Sequence, residues 1–558
     1  VRLSLVLGLP AAAGLVLLPD LASALTGLNG NALADLASVP VALALAVAIL
    51  LTRPRPVRWL LGILLVLIQG GWLATLAYFG EVPQPEQILI SGNDTRDLIR
   101  TAFGEWRVLA PPLGFMLAYA AILAAADRAL GRHGLPRFAV GGVAALVLLG
   151  GLVARPFLLD NAFAAALGRS TASAVAVPNA AGIALHMLVS RIAPIAGLLD
   201  GDAQVVPLGG PRPDRGEPVT VAVIMGESIT PLRMSLYGGS GTGPDSPLIR
   251  RRADQTGPFR LTAKLGLSAG TGTLASVPTF LRVSYAPRAA AGRPLTLFRL
   301  AKAAGFRTYY VSAQHMRFGE IAGVTPDVDR IDDASRSAAR IALRRDEFLL
   351  DRLEDFFAAD PDGPRFAFVH QRVNHAPYRA NCAEADQPPV PPGASGTDRR
   401  RLDYDIGLAC YETNLDRLLA FFARRPGAVH VLVTADHSEF TGERGQFGHF
   451  IDDVYNVVVP AMLFTNRPDS DIARRFAALD WPTAYEIGAL ATRALGYEVR
   501  DPNYDPSRFF FNHTMPFGVA GHFQGRKIDA TTLSVEQYAP DGRVLKTQHF
   551  NLATDVPR

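Results

Sequence analysis

Apolar residues follow two regimes along the chain, and the border lies near residue 158. Upstream they form unbroken runs near 2–19, 36–52, 58–79, 107–126 and 137–157. Each approaches the ~20 residues a helix needs to cross a ~30 Å hydrocarbon core. The series predicts a five-helix transmembrane domain over residues 1–157, since buried core helices average only ~11–12 residues. Across 158–216, Leu185, Leu188 and Ile192 recur at helical spacing. They fit an amphipathic bridging helix on a membrane surface, or a plain packing helix. Leu208-Gly-Gly-Pro-Arg-Pro213 then forms a linker. From 217 to 558 the apolar runs shorten to Val219–Met225, Thr308–Ser312, Phe366–His370, Val429–Thr434 and Ala461–Thr465. Helical patterns such as 344–358 and 402–423 separate them. Strands alternating with helices predict an α/β domain with a mostly parallel central sheet. Thr531–Tyr538 and Val544–His549, joined by Ala539-Pro-Asp-Gly542, predict a terminal hairpin.

Composition supports this division. Of 558 residues, 49% are hydrophobic and 19% charged, against roughly 25% charged in soluble domains. Such a chain is neither a disordered polymer nor a purely cytosolic enzyme. A net charge of +4 gives no case for a nucleic-acid partner. Two cysteines exclude a disulfide-rich scaffold and a thiolate zinc ribbon, and leave open one disulfide or two free thiols. Loop charge sets an orientation. Arg53, Arg55 and Arg58 follow the second run, and Arg128, Arg132, His133 and Arg137 follow the fourth; the loop over 81–106 carries Glu81, Glu86, Asp94, Asp97 and Glu105. The positive-inside rule places both basic loops in the cytoplasm. The N-terminus is then cytoplasmic, and five crossings put everything after 158 outside.

Ligands of parallel sheets bind beyond the carboxyl ends of the strands. Val219–Met225 is followed by Gly226-Glu227-Ser228; Phe366–His370 by a stretch containing His375; and Val429–Thr434 by Ala435-Asp436-His437-Ser438-Glu439. Carboxylates with imidazoles suit zinc or manganese. His449 lies twelve residues past His437. In Ser268-Ala-Gly-Thr271-Gly-Thr273, small residues lead into an apolar helical pattern, which puts Thr271 at a loop-to-helix junction. There the helix dipole favours an anion, and a metal-bound hydroxyl could act as a nucleophile. Singly, each piece also fits a turn, a packed histidine or an N-cap; their joint placement at strand ends is what points to chemistry.

This ordered set resembles the phosphoethanolamine transferases of the alkaline phosphatase/sulfatase superfamily. It comprises Gly226-Glu227-Ser228, Ser268-Ala-Gly-Thr271-Gly-Thr273, His370 with His375-Ala-Pro-Tyr378, Asp436-His437-Ser438-Glu439 and Gly442-Glu443 with His449. The resemblance implies an inner-membrane enzyme with five transmembrane helices and a periplasmic, sulfatase-like catalytic domain. It implies a catalytic Zn2+ held by Glu227, Thr271, Asp436 and His437, with a second Zn2+, and Mn2+ as the metal, left open. Thr271 would be the nucleophile that becomes phosphorylated. His375 and His449 would face the transferred group, as acid/base groups or ligands of a second metal, with His370 as a neighbour. Thr95, in the stretch from Ile88, would approach the substrate. The implied donor is phosphatidylethanolamine, and the acceptor a lipid A-like glycolipid or periplasmic glycan, among membrane lipids. Better-known members carry several disulfides, whereas this chain has only Cys382 and Cys410; Asp-His-Ser-Glu-Phe440 replaces the family's Asp-His-Gly-Glu-Ser; and no lysine marks the middle of the site, a neighbourhood that His315 or Arg317 would occupy. A phosphoglycerol transferase, another phosphodiesterase or sulfatase-like hydrolase of this fold, and an inactive lipid-binding regulator are the alternatives. Neither cysteine lies in the Cys-x-Pro-x-Arg context that a formylglycine sulfatase requires.

Overall fold

A computed structural model describes residues 39–79, 106–132, 139–158, 204–207, 217–254, 257–285, 295–360, 363–383, 396–449, 453–513, 522–538 and 544–555, with a few short stretches besides. The chain divides into two compact units: residues 1–194 with 444–447, and residues 195–443 with 448–558.

In the first unit, four of the apolar runs fall on helices: α1 (Val39–Leu50), α2 (Arg55–Phe79), α3 (Trp106–Arg132) and α4 (Ala139–Leu158). Among the described residues, one segment, Arg55–Ala77 of α2, is long and apolar enough to cross a membrane; Leu109–Ala125 of α3 is a shorter apolar stretch. Of the five expected spans, one meets this test of length and composition among the described residues. The run at 2–19 lies, but for residues 18 and 19, outside the described residues, as do Thr95 and the stretch from Leu185 to Ile192. Leu60, Leu67, Leu117 and Val147 are each more than half exposed. Arg58 is buried, donating to the Thr52 carbonyl at 2.6 Å and pairing with Asp127 at 2.7 Å.

The second unit is built on a seven-stranded sheet. Its strands are β1 (Val219–Gly226), β2 (Arg260–Leu267), β3 (Arg307–Ser312), β4 (Arg330–Asp332), β5 (Arg365–His370), β6 (Ala428–Ala435) and β7 (Val458–Thr465). Their spatial order is β2-β7-β6-β1-β5-β3-β4. β1 runs parallel to both β5 and β6, and β3 parallel to β5 and β4. β7 is the exception, antiparallel to β6 and to β2. The reason is local: a parallel return needs a crossover, usually a helix, whereas the described residues of 436–457 form only short turns and two-residue strands.

Successive β1 side chains point to opposite faces, so each face builds its own core. Ile224, Val369 and Val431 pack with α7 (Glu347–Ala359) and α8 (Gly396–Ala423) through Leu353, Phe357, Leu415 and Leu419. Val223, Phe368 and Leu432 pack with α5 (Thr273–Leu281), α6 (Leu297–Ala303) and α9 (Ala484–Ala494) through Phe280, Phe298 and Leu490. Cys382 and Cys410 form a disulfide, with Cα atoms 5.9 Å apart. The terminal hairpin is present as β10 (Thr532–Tyr538) and β11 (Val544–Asn551), and extends into a four-stranded antiparallel sheet with β8 (Arg508–Asn512) and β9 (His522–Lys527). Its inner face buries Phe509, Phe511, Phe523, Leu533, Val535 and Phe550. Gly525 is needed there, because a Cβ would lie 2.0 Å from the Phe509 ring.

Candidate active site

β1 lies at the centre of the sheet, and the chain reaches its two neighbours, β5 and β6, by separate excursions. The crevice beyond its carboxyl end is therefore a topological switch point. Register brings the three strand ends level: Met225 pairs with His370 on one side and Thr434 on the other. Two backbone bonds carry the alignment past the strands, from Gln371 N–H to the Met225 carbonyl (2.9 Å) and from Asp436 N–H to the Gly226 carbonyl (3.0 Å). Glu227, His370, Asp436 and His437 thus converge, and all are buried.

The turn after β1 is held against its own preference. Ser228 has φ 58°, a region unfavourable for a residue with a Cβ. Its N–H donates to Asp436 Oδ1 (3.1 Å) and its hydroxyl to Glu227 Oε1 (3.1 Å). Its carbonyl accepts from the Tyr404 hydroxyl (2.7 Å) and Asn374 Nδ2 (3.2 Å). Four bonds fix the strained residue, and through it the two carboxylates.

Opposite them, α5 starts at Thr273, with Gly272 as N-cap. The first helical residue, not the second residue before it, faces the cluster. Thr273 Oγ1 donates towards Glu227 Oε2 (3.2 Å) and stands 3.4 Å from His437 Nε2. Thr271 Oγ1 is buried and makes no hydrogen bond among the described residues. The hydroxyl directed at Glu227 and His437 is thus that of Thr273, in the first turn of α5, and not that of Thr271. Gln314, which sequence reasoning missed, donates to Glu227 Oε2 from the loop after β3 and lies 3.4 Å from His370 Nε2.

His437 Nε2 is 3.2 Å from Glu227 Oε1 and 3.5 Å from Asp436 Oδ2; His370 Nε2 is 3.7 Å from Glu227 Oε2 and 3.8 Å from Asp436 Oδ2. Burial by itself would lower the His437 pKa, but Asp436 and Glu227 overcome it and push it up to about 10. Against the same burial, His437 holds Asp436 well below the usual carboxylate range. Two buried carboxylates thus demand positive charge at this spot. Asp436 Oδ2 accepts no hydrogen bond among the described residues. His437 Nδ1 meets the Ser438 carbonyl at 2.9 Å, which directs Nε2 into the cluster. These donors fit a divalent cation. Glu227, His370 and Asp436 form one such group, and His437, Glu439 and His449 form another.

The second group lies on the more open side. His449, partly buried, donates from Nδ1 to Glu439 Oε2 (2.9 Å), and Glu439 Oε1 accepts from the Tyr378 hydroxyl (2.6 Å). The His449 ring is 4.2 Å from that of His437 and 6.3 Å from that of His375. His375 donates from Nδ1 to the Ala376 carbonyl at 2.7 Å. Burial lowers both pKa values, reinforced by Arg372 at His375 and by His437 at His449, so both imidazoles are neutral at pH 7.

Residues 219–472 match the sulfatase family. By that match, this segment of the chain is sulfatase-like. The match spans the seven strands of the central sheet and all of the clustered residues named above. No curated protein matches the chain. Among solved structures, the integral membrane lipooligosaccharide phosphoethanolamine transferase A (EptA) of Neisseria meningitidis is similar, with 16% identity and a TM-score of 0.58 over 88% of this chain and 96% of that one. The periplasmic domain of EptC from Escherichia coli, in complex with zinc, shares 18% identity with a TM-score of 0.43, covering 55% of this chain and 89% of that one. EptC of Campylobacter jejuni shares 16% with a TM-score of 0.41, covering 52% and 92%. The likeness to EptA is one of fold, and the second unit has an alkaline phosphatase/sulfatase-like architecture with a mostly parallel sheet.

Proposed function

We propose that the chain is a phosphoethanolamine transferase that takes its group from phosphatidylethanolamine and passes it to a lipid A-like glycolipid or periplasmic glycan. The observation that carries this reading is the Thr273 hydroxyl, set at the start of α5 against Glu227 and His437 on a fold shared with EptA. Glu227, Asp436, His437 and Thr273 would hold a Zn2+ ion, with His370 beside them. When bound, that ion lowers the pKa of a hydroxyl and neutralises charge on a phosphodiester.

The chain's own groups do the rest. Thr273 Oγ1 attacks the donor phosphorus; its bond to phosphorus forms as the bond to the diacylglycerol oxygen breaks. The helix start orients Thr273 and favours the anionic group. His375 and His449, neutral before the reaction, take up and return the proton that the diacylglycerol oxygen requires. Glu439, fixed by Tyr378, holds the His449 ring with Nε2 directed away from it. An acceptor hydroxyl then attacks the phosphothreonine, and Thr273 is regenerated.

Two features support a lipid donor and an extracytoplasmic site. The first unit exposes apolar side chains on α2, α3 and α4, as a lipid-facing surface would. The Cys382–Cys410 disulfide suits an oxidising compartment, in line with a multi-pass inner-membrane protein whose N-terminus is cytoplasmic and whose catalytic domain is periplasmic. The same bond engages both cysteines, so neither serves as a formylglycine precursor, which favours phosphoryl transfer over sulfate ester hydrolysis. The test is mass spectrometry of membrane lipids and glycans with and without the protein. Diacylglycerol and an acceptor heavier by one phosphoethanolamine are expected. A gain of phosphoglycerol instead would reassign the donor to phosphatidylglycerol, and no modified acceptor would remove the proposal.

A further inference from the structure

The outer face of the C-terminal sheet carries a juxtaposition that folding alone does not favour. Arg508 on β8 and Arg526 on β9 stand directly opposite each other in register, and like charges so placed destabilise a sheet. Among the described residues no carboxylate forms an ion pair with either. Asp505 feels both charges, but its Oδ1 is engaged by the Ser507 N–H (2.8 Å) and hydroxyl (2.7 Å). Two and four residues along the same face come Phe510, then His522 paired with Tyr538. The His522 and Tyr538 rings stack at 5.2 Å with 4° between planes, and Phe510 lies 6.4 Å from His522. Tyr285 braces Phe510 edge-on at 5.3 Å. Phe510, His522 and Tyr538 are partly exposed, and the Tyr538 hydroxyl donates to Glu536 on the same face (2.7 Å). The face is also tied to the site. Asn512, at the end of β8, donates from its N–H to the Ala269 carbonyl (2.8 Å), and from Nδ2 to that carbonyl (3.1 Å) and to Thr279 Oγ1 (3.0 Å). It thereby grips both ends of the segment that presents Thr273.

We propose that this face is a docking surface for an anionic saccharide, its rings meeting sugar faces and the Arg508–Arg526 pair meeting a phosphate. Braced rings offer apolar bodies with polar tips. Guanidinium groups match a phosphate bidentately, and such an anion relieves their repulsion. Its use as an acceptor subsite rests on the transferase reading; the binding itself does not.

The experiment measures binding of a deacylated, bis-phosphorylated glucosamine disaccharide to the full chain in detergent by calorimetry. Arg508→Gln with Arg526→Gln is expected to weaken binding by roughly tenfold or more, and Tyr538→Ala to weaken it several-fold. The double arginine variant removes a like-charge pair, so its thermal transition is expected at or above the parent's. The dephosphorylated disaccharide should bind more weakly than the phosphorylated one, and added salt should weaken the phosphorylated one further. Absence of binding, binding unchanged in both variants, or arginine-dependent binding to phosphatidylglycerol vesicles in place of the disaccharide would overturn the proposal. Donor cleavage is read separately as diacylglycerol release, so failure of the transferase reading and failure of this surface give different results.

Discussion

Two threonines two residues apart make opposite predictions, which makes the pair the sharpest test of the site. Thr273 Oγ1 sits within 3.2–3.4 Å of both Glu227 oxygens and 3.4 Å from His437 Nε2. Thr273→Ala removes a hydrogen bond to a buried carboxylate, worth about 1.5–3 kcal/mol, along with the attacking oxygen. Transfer should fall by a factor on the order of 10³ or more, as for loss of a nucleophile acting in a concerted set. Thr273→Ser keeps the oxygen and should keep measurable activity. Thr271 Oγ1 is fully buried and unpartnered among the described residues. Thr271→Val replaces an unsatisfied polar atom by a methyl of similar size, so stability should rise by about 1–3 kcal/mol, the penalty for burying such a group, with activity nearly unchanged. The assays are diacylglycerol release from labelled phosphatidylethanolamine, chemical denaturation, and mapping of a trapped phosphoethanolamine on tryptic peptides. An inactive Thr271→Val beside an active Thr273→Ala, or a modification mapped to Thr271, would refute the reasoning.

Chelation should lower the thermal transition, and readdition of Zn2+ at about a hundred times its Kd should restore about 2.7 kcal/mol; Glu227→Gln with Asp436→Asn should abolish that response, and an unaltered transition in the parent would count against a metal centre. Glu412 on α8 is buried, and neither oxygen reaches hydrogen-bond geometry; burial raises its pKa from 4.5 to about 7, with the Ser246 and Thr242 hydroxyls restraining it in part. Because the folded value lies above the unfolded one, stability present below pH 4.5 is lost as pH rises through about 7, by about 3 kcal/mol. Glu412→Gln should therefore gain that amount at pH 8 and little at pH 4.5 in urea titrations, and equal gains at both would contradict the assignment. Cys382 and Cys410 are 28 residues apart, so by loop entropy Cys382→Ser with Cys410→Ser should lose about 3–4 kcal/mol, read from the denaturation midpoint against the parent.

What the sequence announces here follows from burial. β1, β3, β5 and β6 are buried strands whose continuous apolar runs stand out, and the carboxylate and histidine donors follow them directly. β2 escapes because, as an edge strand, it mixes exposed Thr262 with buried Leu261 and Leu267, and Lys264 lies mid-strand. β8 and β9 escape for a related reason, since each buries only one face and carries arginine on the other. The direction of β7 depends on the path of 436–457, which periodicity does not record. Which threonine hydroxyl faces the carboxylates depends on the backbone path through 271–273, which a run of small residues does not record. Gln314 follows β3 without any motif, and only the register of β3 against β5 brings it to Glu227.

Ser228, whose hydroxyl holds Glu227, donates its N–H to Asp436 across 208 residues of chain. No short fragment can own the centre: a nascent polypeptide has no cation trap until β6 slots in next to β1. Loading of a metal at these donors would therefore be a late event in biogenesis, and a retained ion would certify that the middle of the sheet has closed. The compartment that completes that closure would then also have to furnish the ion.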